Sequence, residues 1–170
     1  DLFAAIVRQA LFCGPNGFGP GDFVARFVEV AAPLEGHVQL RSRVPGSTFT
    51  GAIWQLVEQE VPAAMRAGLS PVDAGGRWYS GAFLLETVPT VLHLLELYRD
   101  DPEEALVRAA TDTRDNDTVA SIVGAVMGAL HGDGALPKRW RDGLLGRTTA
   151  DDDGRLERVW QRLRAYGGYG

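Results

Sequence analysis

Residues 111–132, TDTRDNDTVASIVGAVMGALHG, are the stretch on which the reading of this chain turns. Asp112, Asp115 and Asp117 stand within six residues, and an apolar, glycine-spaced run follows at once. From Val119 to Leu130 the only polar side chain is Ser121, which predicts a helix apolar on every face and central to the fold. Ala120, Gly124, Gly128 and Gly132 recur every four residues and share one helix face, a groove in which another backbone can approach closely. Each glycine costs about 1 kcal/mol of helix propensity relative to alanine, so close packing or access is the expected compensation. Similar spacing occurs in membrane helices, but a span takes ~20 apolar residues and this run is shorter.

The charges ahead of the run need neutralising. Asp115 and Asp117 lie two apart with Thr118 next, where the chain turns into the helix. Three oxygen-bearing side chains converging there suit a hard cation such as Mg²⁺ or Mn²⁺. The helix N-terminus offsets part of the repulsion, and a divalent ion would offset more. A plainer reading stands beside it: Asp117 as N-cap, Asp115 paired with Arg114, and Asp112 closing the preceding helix. Spacing alone leaves both open. An EF-hand is excluded, because counting from Asp115 no Gly stands sixth and no Glu twelfth. DDDG at 151–154 fails the same test and reads as a solvated turn.

Working outward, the chain reads as all-α. DLFAAIVRQALF (1–12) has helical apolar spacing with Asp1 able to cap, and CGPNGFGPG (13–21) is a loop. Asp22 is expected to cap FVARFVEVAA; residues 33–49 are ambiguous; residues 50–60 form a helix, and Pro62 begins or kinks the next one. SPVDAGGRWYSG (70–81) reads as a loop, and 82–100 as a long helix that Pro89 should kink or split. Asp101, Pro102, Glu103 and Glu104 make a strong helix start. A last helix is expected within 154–166. There is no sustained period-two alternation, repeat or low-complexity tract.

At 170 residues, 45% hydrophobic and 23% charged, the chain fits one soluble domain spanning 1–170. A net charge of −5 gives no general attraction to nucleic acid or an anionic membrane, and neither partner is expected. The lone Cys13 cannot make an internal disulfide, which suits a reducing, cytoplasmic compartment.

DNDT (115–118) running into VASIVGAVMGALHG, followed by LPKRW, resembles the C-terminal signature of the ADP-ribosylglycohydrolase family. Upstream, YSGAFLLETVPTVLHLL resembles the Ser-Gly-aromatic helix that precedes that signature. The likeness is good from about Trp78 to Arg147. It implies a compact all-α fold holding two divalent metals, Mg²⁺ or Mn²⁺, with Asp115, Asp117 and Thr118 as ligands. It also implies hydrolysis of the N- or O-glycosidic bond of ADP-ribosylated proteins or small molecules, releasing ADP-ribose. A non-catalytic module binding ADP-ribose or metal is the alternative. Two positions depart from the family: Thr113 and Arg114 stand where Gly-Gly is common, and Ala82 where Tyr commonly follows Ser-Gly. The first departure offers Arg114 as a phosphate ligand or a competitor of metal. The second leaves the aromatic wall to Tyr79 or Phe83. The family's N-terminal Gly-Asp turn, Thr-Asp-Asp-Thr motif and catalytic carboxylate have no counterpart here, so the expectation is a C-terminal part. The catalytic residue is then unknown, and the upstream half of the chain is an expected partner.

Other candidates are weaker. Tyr79, Ser80 and Gly81, in GGRWYSG, are the candidate substrate-binding residues: a Gly-rich turn that either cradles a diphosphate or is merely flexible. His93, among leucines, is expected in the core. His131 lies about 20 Å from Asp117 along the helix and favours the helix dipole over the metal. No Gly-x-Ser-x-Gly nucleophile elbow is present. Lys138, Arg139 and Arg141 around Trp140 read as cations lying over a partly buried ring.

Overall fold

The computed structural model describes residues 2–140, 158, 159, 161 and 162. Contacts divide the chain into two compact units, residues 1–135 and 136–170. The first unit is mainly helical: α1 Leu2–Cys13, α2 Asp22–Glu35, α3 Ile53–Arg66, α4 Pro71–Trp78, α5 Leu84–Tyr98, α6 Pro102–Thr111 and α7 Asn116–His131. Two-residue strands β1 (Leu40–Arg41) and β2 (Thr50–Gly51) form an antiparallel hairpin, with Leu40 opposite Gly51 and Arg41 opposite Thr50. At its tip Ser47 N–H donates to Val44 C=O at 3.0 Å around Pro45 and Gly46 (φ 83°), the Pro-then-Gly order that a type II turn requires. In the second unit Trp140 N–H donates to Pro137 C=O at 2.9 Å, and the Arg139 guanidinium lies 5.6 Å over the Trp140 ring. Arg141, the turn at 151–154 and most of the expected last helix fall outside the described residues, as does Asp1.

The central helix is α5, not α7. Every residue from Leu85 to Glu96 is buried, with α3, α4, α6 and α7 packed around it. On α7 only Val119, Val123, Val126, Met127 and Leu130 are buried, while Ser121 and Ala125 are exposed. An apolar helix of Ala and Gly carries too little side chain to serve as the hub. The glycine groove is also only partly used: a Cβ at Gly124 would meet Leu106 Cδ2 of α6 at 3.2 Å, whereas Gly128 faces open space.

Elsewhere the outcome follows from caps. Residues 71–78 form a helix rather than the expected loop, because Ser70 caps it, accepting Asp73 N–H at 3.2 Å, and Pro71 pre-sets the first turn. Pro89 and Pro62 neither split nor begin helices; both lie inside continuous ones. The expected helix over 50–60 starts only at Ile53, since Thr50 and Gly51 belong to β2. Asp22 does not cap α2; its carboxylate accepts Gly19 N–H at 2.6 Å, ahead of the helix. The first amides of α2 are satisfied instead by Glu96 from α5. Phe23, Phe27 and Ala31, four apart, make the fully buried stripe of α2. Each phenylalanine contributes about 2–3 kcal/mol of transfer free energy.

Candidate functional site

The candidate site forms where the end of α4 meets the start of α7. Tyr79, the residue after α4, takes a left-handed conformation (φ 79°) and donates its N–H to Gly75 C=O at 2.7 Å. Ser80 follows, also at positive φ (35°) and only 3% exposed. Two consecutive non-glycine residues in this region cost about 1–3 kcal/mol each, a burden retained only when the surroundings impose it. Here they do. Thr87 Oγ1 donates to Gly81 C=O at 2.7 Å, and Trp78 Nε1 donates to Thr90 Oγ1 at 2.9 Å, fastening the turn to α5 on both sides.

The turn in turn holds the start of α7. Ser80 C=O accepts Arg114 N–H at 3.2 Å and Asp115 N–H at 3.1 Å, and Ser80 Oγ lies 3.4 Å from the same Arg114 nitrogen. The α6–α7 junction is closed from its other side by Thr113 Oγ1 donating to Ala109 C=O (2.7 Å) and Asn116 Nδ2 to Ala110 C=O (3.1 Å). Tyr79, Ser80 and Gly81 are thereby brought beside Asp115, although 34 residues separate Ser80 from Arg114.

The aspartates have different fates. Asp112 closes α6 and is committed: Arg108 Nη1 lies 3.3 Å from its carboxylate and Thr111 Oγ1 donates to it at 2.8 Å. Asp115, not Asp117, is the N-cap residue of α7, yet its carboxylate makes no capping hydrogen bond. Asp117 Oδ1 accepts Thr118 N–H at 2.9 Å, and the side chains of Asp117 and Thr118 are exposed. Arg114 does not pair with Asp115; its guanidinium lies 4.3 Å over the Tyr79 ring. The carboxylate of Asp115, one oxygen of Asp117 and the hydroxyl of Thr118 are therefore uncommitted hard oxygens at one helix start. Hard oxygens are the donor type that Mg²⁺ and Mn²⁺ take. Among the described residues no three His, Cys, Asp or Glu side chains gather into a group that could hold a metal ion alone.

Sequence reasoning missed Glu86 and Arg43. Glu86, 2% exposed, accepts Arg43 Nε at 3.0 Å through Oε1, while Oε2 is buried without a partner and faces Gly81. A Cβ at Gly81 would stand 2.5 Å from that oxygen and 3.1 Å from the Tyr79 ring, so any larger residue there must push the Glu86 carboxylate aside. A carboxylate among the leucines and valines of α5 was the available signal. Arg43 also lies 4.3 Å over the Phe83 ring.

The histidines stand apart from this chemistry. His93 is 1% exposed, edge-on to Trp78 (5.7 Å), with burial pushing its pKa down to about 4. His131 Nε2 lies 2.6 Å from Arg99 C=O at the far end of α7. His37 is exposed. Among the described residues, no helix is long and apolar enough to cross a membrane.

Comparison with known proteins gives two matches. The family model described as ADP-ribosylglycohydrolase matches residues 1–167. The chain is also 37% identical over 57 residues to the uncharacterized protein YegU of Escherichia coli (strain K12). That match covers 34% of this chain and 17% of the relative's length. No solved structure matches the chain significantly.

Proposed function

The chain belongs to the ADP-ribosylglycohydrolase family, and from that premise we propose that it supplies part of a metal-dependent site hydrolysing the glycosidic bond of ADP-ribosylated substrates. The observation that carries this reading is the shared carbonyl of Ser80, which ties the 79–81 turn to Asp115. The two segments in which the family resemblance placed metal ligands and substrate contacts thus belong to one local structure.

In this reading Asp115, Asp117 and Thr118 hold Mg²⁺ or Mn²⁺ on the open start of α7. The ion, when bound, supplies orientation of the ribose hydroxyls and Lewis-acid assistance at the anomeric carbon. Tyr79, 45% exposed, offers an aromatic side chain for the sugar, and Gly81 lets the turn close against Glu86. Ser80 acts through its carbonyl, keeping Asp115 in place. Water adds at the anomeric carbon, and the arginine, serine or other leaving group departs with a proton. No described side chain is assigned to move that proton.

The experiment is release of ADP-ribose from ADP-ribosylated arginine with Mg²⁺, with EDTA and with Asp117→Asn. Release abolished by EDTA and by the substitution is the expected result. Release indifferent to both overturns the metal assignment. A second reading, a module that binds ADP-ribose or metal without turnover, is favoured by the absence of a complete metal-holding group among the described residues. Binding of ADP-ribose without release would select it.

A further inference from the structure

We infer that Arg43 and Glu86 are positioning residues for the candidate site. The pair fixes the carboxylate against which Gly81 and the Tyr79 ring rest, and through Ser80 it seats the start of α7. The inference rests on the ADP-ribosyl reading only for what the seated turn serves.

Glu86 is the third residue of α5, where an acidic side chain ordinarily bends back to the backbone N–H ahead of the helix. Here the carboxylate turns to Arg43 instead, whose Nε donates to Oε1 at 3.0 Å, and Oε2 is left buried without a partner. The positive end of α5 and the guanidinium make a buried charge tolerable, yet neither occupies Oε2. An idle buried carboxylate oxygen is unfavourable, and an apolar side chain would avoid it. What Oε2 does is limit the turn. A Cβ at Gly81 would stand 2.5 Å from it, and 3.1 and 3.3 Å from two carbons of the Tyr79 ring. The carboxylate and the ring edge thus flank the same side of Gly81, and the carboxylate sets how far the turn closes.

Arg43 is suited to holding that carboxylate still. Its backbone neighbours are fixed in the hairpin, Ser42 N–H donating to Phe49 C=O at 3.0 Å and Val44 N–H to Ser42 Oγ at 3.2 Å. Its guanidinium lies 4.3 Å over Phe83 while Nε bonds Glu86, so one side chain grips both ends of the first turn of α5. From there the printed bonds run on through the turn. Thr87 Oγ1 holds Gly81 C=O at 2.7 Å, and Ser80 C=O holds the amides of Arg114 and Asp115.

The test is amide hydrogen exchange by NMR on the full 170-residue chain. Arg114 and Asp115 N–H, which Ser80 holds, report the seat of α7. Val24 N–H, held by Glu96, and Glu104 N–H, held by Asp101, are the references. Glu86→Gln keeps the shape and loses the charge that Arg43 grips, and Arg43→Gln removes the grip. Each should speed exchange at Arg114 and Asp115 about tenfold and leave both references at wild-type rates. Arg43→Lys, which keeps a cation beside Glu86, should restore most of the protection. The double variant should exchange no faster than Arg43→Gln alone, since the two residues act as a pair. Exchange unchanged at Arg114 and Asp115, or raised equally at the references, overturns the inference; the latter is what lost stability alone produces. Titration calorimetry with ADP-ribose reads the consequence for a ligand. Glu86→Gln should weaken binding severalfold, although Glu86, 2% exposed, is too buried to touch the ligand. Equal binding by wild type and Glu86→Gln overturns the positioning role. No binding by wild type, with exchange altered as expected, keeps the pair's hold on the turn and removes the ADP-ribosyl reading.

Discussion

Glu96, near the end of α5, accepts at 2.7 Å the N–H of Gly21, the N-cap residue of α2 that lies 75 residues earlier in the chain. The other carboxylate oxygen takes Val24 N–H at 3.2 Å. Glu96→Ala strands these amides in a buried place and should cost about 2–3 kcal/mol, measured by urea unfolding. Glu96→Gln, which keeps one acceptor, should cost less. Burial raises the Glu96 pKa above its ordinary 4.5, against the opposing pull of the Gly21, Val24 and Phe23 amides and of Arg99. A folded value above the unfolded one means that the native state holds the proton more tightly. Stability from this group is therefore fully present below pH 4.5 and declines as pH rises through the folded value. Glu96→Gln should remove that decline.

His93 tilts stability the other way. Burial lowers its pKa from 6.5 to about 4, so the unfolded chain gains a proton before the native one does. Stability from the neutral imidazole is complete above pH 6.5 and is lost as pH falls toward 4, a change on the order of 3 kcal/mol. His93→Leu should flatten thermal-melt profiles between pH 7 and pH 4. An unchanged slope would show that His93 is not the titrating group.

Two glycines should answer oppositely to alanine. Gly81→Ala drives a Cβ against a Glu86 carboxylate already fixed by Arg43 and should destabilise by about 1–3 kcal/mol. Gly128→Ala meets nothing within 4 Å on an α7 face that is not fully buried, and should stabilise by about 0.5–1 kcal/mol. Chemical denaturation of the pair checks both signs. A destabilising Gly128→Ala would mean that the glycine face of α7 is occupied in solution.

The aspartates should separate in a metal titration. Asp112→Asn, which touches a carboxylate committed to Arg108 and Thr111, should leave Mn²⁺ binding by electron paramagnetic resonance at the wild-type level. Asp115→Asn and Asp117→Asn should each weaken it with little change in melting temperature, since the Asp115 carboxylate makes no capping bond and the amide replacing Asp117 keeps an oxygen to accept Thr118 N–H. Equal effects from all three would point to diffuse charge rather than a site.

What the sequence disclosed, and what it hid, follows from range. The start of α6 is read correctly because Asp101 accepts Glu104 N–H at 3.0 Å, a bond between residues three apart with Pro102 beside it. Ser70, Pro71 and Asp73 carry the same kind of signal for α4, but Gly75 and Gly76 outweighed it in the reading of 70–81 as a loop. The all-α class was legible throughout. Both candidate segments, 79–81 and 115–118, were found by local motif and family likeness. Their junction through Ser80 C=O was not, because a backbone carbonyl has no sequence signature and its partners lie 34 and 35 residues away. Glu86 and Glu96 were overlooked for a related reason: what permits each to be buried is Arg43 in one case and Gly21 and Val24 in the other, all remote in sequence.

The single carbonyl that serves both Arg114 and Asp115 also governs where this chain tolerates added length. Extra residues between Thr113 and Asp115 would pull both amides off Ser80 together, leaving a buried oxygen bare and the start of α7 adrift. The exposed tip at Pro45 and Gly46 makes no bond to Ser80, its cross-turn bond closing on itself, provided Arg43 just before it keeps its hold on Glu86. A peptide tag or reporter domain spliced at that tip should leave the junction of turn and helix undisturbed, making it the place from which to attach a fluorophore or a surface anchor.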